Sequence, residues 1–403
     1  MSLHSEELNL AIGGIRLAAI AAGIRYANRL DLVLIEIAAG SSCAGVFTRN
    51  AFCAAPVRLA RDHLAGSAPR YFLVNTGNAN AGTGEPGRQA AIRCCQALAQ
   101  RADVNPEQVL PFSTGVIGEP LPEGKIIKGL DAALAALAPG NWQAVAKGIM
   151  TTDTVPKLRY ARVELGGGVI NIAGIAKGAG MIKPNMATML AYVFTDAVIA
   201  TPRLQEILQQ AVARSFNRIT VDGDTSTNDC AMLVATGASG IDEDSLGESE
   251  RAKLQQAVTG LFTDLATDLI RDAEGATKFI TIDVVEGRSS EECLAAAYAV
   301  AESPLVKTAC YASDPNWGRI LAAVGRAGIP ELDLDKVNIT LGDTPLIIGG
   351  TLNPEYREEL GQAAMNGAEI CIRIELGRGN CCERVWTSDL SPEYVSINAD
   401  YRT

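Results

Sequence analysis

KGAGMIKPNMATML, residues 177–190, joins two apolar segments that read as β-strands, Val169–Ala176 and Thr188–Thr195. The joining residues include Gly, Pro and Asn, which favour turns. The second segment, TMLAYVFT, opens on a polar Thr188 preceded by the small Ala187. A β-branched residue is at home in a strand, so the bland reading of Thr188 is a strand residue and nothing more. The sharper reading starts from its position at the mouth of a buried strand. Cutting the Ala187–Thr188 bond would make Thr188 a new N-terminus carrying a hydroxyl and a free α-amine. That amine, with a reference pKa of roughly 7.7–8.0, can act as general base for its own hydroxyl.

The chain holds only two histidines, His4 and His63, both far from this loop in sequence. A Ser-His-Asp or Cys-His arrangement needs a positioned imidazole. His4 falls in a terminal segment of the kind that is usually loose, which leaves His63 as the one candidate. A self-contained threonine nucleophile needs neither.

Outward from the loop, strand-like segments recur at Asp31–Ala38, Arg70–Asn75, Tyr160–Leu165, Lys336–Leu341, Glu369–Glu375 and Glu383–Thr387. Thr201-Pro202 marks a helix start, and Leu204, Ile207, Leu208, Ala211 and Val212 fall on one face of that helix. Asp314-Pro315 and Asn353-Pro354 repeat the same signal. Leu254, Val258, Leu261, Leu265 and Leu269 line a longer helix that ends near Glu274-Gly275, and Arg88–Ala102 is a further helix. Apolar strands beside amphipathic helices predict a layered α/β protein with helices covering sheet.

The composition suits a large core: 48% of the 403 residues are hydrophobic and 20% charged, and the length implies two or three folding units. A net charge of −11 argues against nucleic acid, whose binding is led by phosphate neutralisation, and against anionic membrane surfaces. No run approaches the roughly 18 apolar residues of a spanning helix. The apolar stretch from Leu8 is interrupted by Arg16 and preceded by Glu6 and Glu7, the wrong charge for a secretion signal. The expectation is a cytoplasmic protein with neither membrane nor nucleic-acid partners. Its ten cysteines contain no C-x-x-C, and the adjacent pairs Cys94–Cys95 and Cys381–Cys382 do not match zinc-ligand spacing. They read as reduced, small apolar residues, with no metal expected.

Three further features carry competing readings. Asn75–Asn80 (NTGNAN) lacks the Lys-Ser/Thr ending of a P-loop and the spacing of a dinucleotide fingerprint, which favours turn structure over a phosphate cradle. Lys177 closes an apolar strand and is either a solvated strand end or a cation for an anionic substrate. Glu274 sits near a helix C-terminus, where the macrodipole disfavours a carboxylate; its partner is either Lys278 or a substrate ammonium.

The 177–190 segment resembles the autoprocessing site of the ornithine acetyltransferase family, also called glutamate N-acetyltransferases. The resemblance extends through AGVFTRN (44–50), AAPV (54–57), NTGNANAGTG (75–84), STGVIGEPLP (113–122), MTTDTVPK (150–157), DGDTSTND (222–229), EGATKFI (274–280), SDPNWGRI (313–320) and the closing INADYRT (397–403). It implies an α-β-β-α sandwich similar to N-terminal-nucleophile hydrolases but differently connected, with a smaller C-terminal α/β domain. It implies self-cleavage between Ala187 and Thr188 into chains 1–187 and 188–403, assembled as two copies of each. It also implies acetyl transfer from N2-acetyl-L-ornithine to L-glutamate through an acetyl-Thr188 ester, without metal or prosthetic group. Whether acetyl-CoA is a second donor stays open, and an aminopeptidase or amidase of the same architecture is the alternative.

Ser113-Thr114-Gly115 reads as a turn; by the same resemblance, Thr114 and Gly115 form an oxyanion hole, which suits a hydroxyl beside a backbone N–H at a glycine that lets the chain approach closely. Thr151, Lys177, Thr188, Glu274, Asn398 and the terminal Thr403 surround the substrates. Binding residues at a chain end require that end to be docked, and Tyr394–Ile397 reads as a strand able to do so.

Overall fold

Two β-sheets face each other around a shared apolar core in the larger of two compact units. The structure, a computed structural model, describes residues 11–165, 167–183 and 189–400. The larger unit comprises residues up to Gly178, then 183–217 and 225–269. Its strands are β1 (Ile15–Ile20), β2 (Leu32–Ile37), β3 (Ser42–Phe47), β4 (Tyr71–Asn78), β5 (Val109–Val116), β6 (Lys157–Leu165), β7 (Gly168–Lys177), β8 (Leu190–Thr195) and, after the short β9 described below, β10 (Cys230–Ala235). One sheet has the order β1-β2-β4-β5 and the other β3-β10-β8-β7-β6.

The residue pattern explains the layering. Successive strand side chains point to opposite faces. On β2, Val33, Ile35 and Ile37 join the core between the sheets, while Leu32 and Leu34 face a second cluster. Both faces are buried, so the strand reads LVLI without alternation. Between the sheets, Phe72 and Phe112 from one meet Tyr192 from the other, with ring centroids 5.3–5.7 Å apart. Outside the first sheet lie α2 (Gly84–Ala102) and α3 (Glu123–Ala135), which bury Cys94, Cys95, Leu98, Ile126 and Leu130. Outside the second lie α5 (Thr201–Arg214) and α6 (Glu248–Arg271). The short α1 (Ala55–Gly66) and α4 (Trp142–Gly148) complete this unit's helices among the described residues. A Cβ on Gly174 of β7 would lie 2.9 Å from Leu261 of α6, so helix and strand are in close contact there. The result is the α-β-β-α order that the resemblance implies.

The smaller unit comprises Ala179–Ile182, Arg218–Asp224 and the chain from Ile270 on. Its mixed sheet contains β9 (Ile219–Thr220), β11 (Phe279–Gly287), β12 (Asn338–Leu341), β13 (Thr344–Ile348), β14 (Thr351–Leu352), β15 (Glu369–Glu375) and β16 (Cys381–Ser388), in the order β14-β13-β12-β15-β11-β16-β9. Helices α7 (Ser290–Ala301), α8 (Pro304–Tyr311) and α9 (Trp317–Gly325) share its core, and α10 (Glu358–Asn366) and α11 (Pro392–Ala399) complete the set among the described residues. This is the expected smaller C-terminal α/β domain.

Several local expectations are corrected. Tyr394–Ile397 is helical, inside α11, because Ser391-Pro392 supplies an N-cap position and a first-turn Pro. Asp314-Pro315 and Asn353-Pro354 lie outside helices, which begin later, at Trp317 and Glu358. Asn316 caps α9 by accepting the Arg319 N–H, and Asn353 accepts the Glu355 N–H in a local turn. Strands β3 (SCAGVF) and β10 (CAMLVA) escape sequence reading because small residues carry little strand preference. The last predicted strand of the 177–190 region is described from Leu190 on.

Candidate active site

Ser113, Thr114 and Gly115 were expected to form a turn but occupy the end of β5, alongside Asn75, Thr76 and Gly77 of β4. The glycine is sterically required. Gly115 has φ +131°, and a Cβ there would lie 2.4 Å from the Gly77 carbonyl carbon and 2.5 Å from the Asn78 nitrogen. Neighbouring polar side chains hold this strand end. Ser113 donates its hydroxyl to Asn75 Oδ1 at 2.6 Å, and Asn228 Nδ2 donates to the carbonyls of Ala79 and Ser113 at 2.6 and 2.9 Å. Asn78 and Asn80 spend their side-chain amides on the carbonyls of Glu119, Pro120 and Gly87. The NTGNAN stretch is thus structural support, and its first four residues are strand, not turn.

Lys177 ends β7 and reaches across from the other sheet, its Nζ donating to Thr114 Oγ1 at 3.3 Å. A hydroxyl that accepts from an ammonium keeps its own proton to donate elsewhere. Beside Lys177, Asp153 is buried and takes three donors: Lys157 Nζ at 2.5 Å, Gly178 N at 2.7 Å and Thr151 N at 2.9 Å. Burial pushes the Asp153 carboxyl up, but the charges of Lys177 and Lys157 and the hydrogen bonds outweigh it and bring it down to about 2. Thr151 is fixed further by Arg29, which donates to its carbonyl at 2.7 Å and to that of Met150 at 2.9 Å. Thr114, Gly115, Thr151 and Lys177 therefore come together within the larger unit, although up to 63 residues separate Thr114 from Lys177 in sequence. Across the β-ladder Lys177 pairs with Leu190, two residues beyond Thr188.

In the smaller unit, Glu274 is buried three residues past the end of α6 and accepts from Asn398 Nδ2 of α11 at 2.8 Å. The Glu274 N–H donates to the Ala179 carbonyl at 2.9 Å. Gly180 is small for a reason: a Cβ there would lie 2.4 Å from Glu274 Oε2. Lys278 is not the partner of Glu274, because its Nζ donates to the carbonyls of Met365, Asn366 and Gly367 at the end of α10. Tyr394 of the same α11 donates its hydroxyl to Asp222 Oδ2 at 3.0 Å, and Asp222 also accepts the N–H groups of Met181 and Ile182. Burial and the neighbouring Asp222 charge push the Tyr394 phenol up.

Ala187, Thr188 and Thr403 lie outside the described residues, as does His4. His63 is on α1, its Nδ1 2.8 Å from the Val109 carbonyl. Val109 and Thr114 are five residues apart on β5, about 17 Å along a strand, so His63 is no base for this site. All ten cysteines are free thiols. Among the described residues there is no group of three or more His, Cys, Asp or Glu arranged to hold a metal, and no helix is long and apolar enough to cross a membrane. Sequence reading did not single out Asp153 or Asn228. Their only signal was membership of the motif blocks, since a polar residue whose work is to hold backbone has no spacing signature.

The profile of the ArgJ family matches residues 16–403. The arginine biosynthesis bifunctional protein ArgJ of Psychrobacter arcticus is 56% identical over 393 residues, covering 97% of each chain. The protein of the same name from Pseudomonas fluorescens is 54% identical over 393 residues, again 97% of each. Among solved structures, arginine biosynthesis bifunctional protein ArgJ from Bacillus halodurans is 35% identical, covering 51% of this chain and 95% of that one, with a TM-score of 0.48.

Proposed function

We propose that this chain, which belongs to the ArgJ family, transfers the acetyl group of N2-acetyl-L-ornithine to L-glutamate in arginine biosynthesis. The observation that carries the reading is the Thr114 hydroxyl and adjoining Gly115 N–H, faced by the Lys177 ammonium. Leu190, the ladder partner of Lys177, follows Thr188 by two residues. The chain first cuts itself between Ala187 and Thr188, and the processed chains 1–187 and 188–403 assemble as two copies of each in the cytoplasm. The Thr188 hydroxyl then attacks the acetyl carbonyl while its own α-amine takes the proton. Thr114 and Gly115 donate to the oxyanion that forms. Collapse expels L-ornithine, whose amine receives the proton, and leaves acetyl-Thr188. The amine of L-glutamate attacks this ester, N-acetyl-L-glutamate departs, and the hydroxyl regains its proton. Base and oxyanion donors all come from the chain, so the route uses no metal and no prosthetic group.

Lys177 and Thr151 hold the α-carboxylate that both substrates share, with Thr403 completing the substrate contacts. Glu274, with Asn398, takes the side-chain ammonium that only the ornithine portion brings. The relatives are named bifunctional, and a two-reaction member also accepts acetyl-CoA; separate assays with each donor settle that point. Intact-mass measurement tests the reading as a whole. Purified protein should appear as two chains, with Thr188→Ala uncut. Acetylornithine alone should add one acetyl group, about 42 Da, to the chain beginning with Thr188, as ester formation on the nucleophile requires. Added glutamate should discharge it. An uncut wild type, or no acetylated species, refutes the reading, and release of acetate in place of N-acetylglutamate shows a hydrolase instead.

A further inference from the structure

We infer that Asp153 is a positioning residue for this acyl transfer, acting on the Thr114 hydroxyl through Lys177; the inference rests on the oxyanion role proposed for Thr114. Among the described residues, Asp153 has no direct hydrogen bond to Thr114. Its carboxylate holds the N–H of Gly178, the residue after Lys177, at 2.7 Å, and so fixes the backbone from which the Lys177 side chain departs. The same carboxylate holds the Thr151 N–H at 2.9 Å. Lys157, a residue only 2% exposed, completes the arrangement: its ammonium bonds Asp153 Oδ1 at 2.5 Å and the Gly178 carbonyl at 3.4 Å. Both backbone polar groups of Gly178 are therefore tied to one buried ion pair.

Neutralising Lys157 alone requires one carboxylate. The arrangement does more, since the Asp153 carboxylate and the Lys177 ammonium also attract each other, which helps hold that second side chain in place. Lys177 in turn donates to Thr114 Oγ1 at 3.3 Å. While that bond is made, the hydroxyl rotor cannot turn its proton toward Lys177 and must present it elsewhere. A preorganised donor of this kind contributes to catalysis because it needs no reorientation as charge develops. Loss of the Asp153 charge frees Gly178 and Lys177, and the rotor with them.

A double-mutant cycle in kcat tests the inference, with rates referred to the processed fraction of each preparation. Thr114→Ala should lower kcat by roughly 10²–10³, and Asp153→Asn by roughly 10–100-fold as a partial loss of the same donor. The combined variant should be no more than about threefold slower than Thr114→Ala alone, because residues acting as a unit are not additive. Multiplying effects, or an Asp153→Asn enzyme within about twofold of wild type, overturn the inference. Retained turnover in Thr114→Ala instead overturns the underlying oxyanion reading. Asp153→Asn leaves Lys157 buried without its charge partner, so Asp153→Asn/Lys157→Met, which removes both charges, is measured beside it. It should fold and show the same loss of kcat. If both versions unfold, Asp153 serves stability alone and the inference falls.

Discussion

Gly115→Ala should be far more damaging than Gly118→Ala, three residues further along the chain, and the structure supplies that control itself. The added Cβ would meet the Gly77 carbonyl carbon at 2.4 Å and the Asn78 nitrogen at 2.5 Å, where ordinary contacts begin at 3.4 Å. Both are backbone atoms of the adjacent strand, so no side-chain rotation relieves the clash. The φ of +131° adds a conformational cost of roughly 1–3 kcal/mol. Forcing extra volume into a packed site adds about 1–3 kcal/mol more. Gly118 also has a positive φ, +83°, but its Cβ would meet nothing within 4 Å. Gly118→Ala therefore carries the conformational cost without the steric one. The comparison isolates the close approach of β4 and β5. At roughly 2–4 °C per kcal/mol for a domain of this size, Gly115→Ala should melt several degrees below Gly118→Ala. Displacing the strand end also moves the Thr114 hydroxyl and Gly115 N–H, so kcat should fall by roughly 10²-fold or more, with Gly118→Ala close to wild type. Melting curves and steady-state kinetics on both variants decide the matter. Equal melting temperatures together with equal turnover would show that the strands part freely here and that the oxyanion geometry does not depend on Gly115.

Two further outcomes follow from the buried carboxylates. The Asp153 carboxyl lies at about 2 when folded against roughly 3.9 unfolded, a depressed pKa whose stabilisation is complete above the unfolded value and is lost as pH falls through the folded one. The stability gap between wild type and Asp153→Asn should hold steady above about pH 5 and shrink by roughly 2 kcal/mol between pH 4 and pH 2; denaturant titrations across that range check it, and a gap independent of pH would mean the carboxylate is not held as an ion pair. Glu274→Gln keeps the shape that Asn398 contacts but removes the charge, so the KM for acetylornithine should rise by roughly 10-fold or more, the value of a charge-assisted hydrogen bond, with a smaller rise for glutamate. Equal rises for donor and acceptor would leave Glu274 a structural part only.

The sequence alone carried the layered α/β class, the apolar faces of α5 and α6, and the motif blocks that mark the family. These are legible because periodicity and turn chemistry are local: Leu204, Ile207, Leu208, Ala211 and Val212 must share a face if the segment is helical, and all five are buried. What it could not supply was anything set by contact between distant strands. Ser113-Thr114-Gly115 looked like a turn because its small polar residues favour one, yet it pairs with β4 as strand. Lys278 was one of two candidate partners for Glu274 because it is near in sequence, but the end of α10 holds its ammonium and α11 supplies Asn398. Asp153 had no visible task until Gly178, Lys157 and Thr151 converged on it. A carboxylate is defined by the donors that surround it, and only the tertiary structure brings those donors within hydrogen-bonding distance.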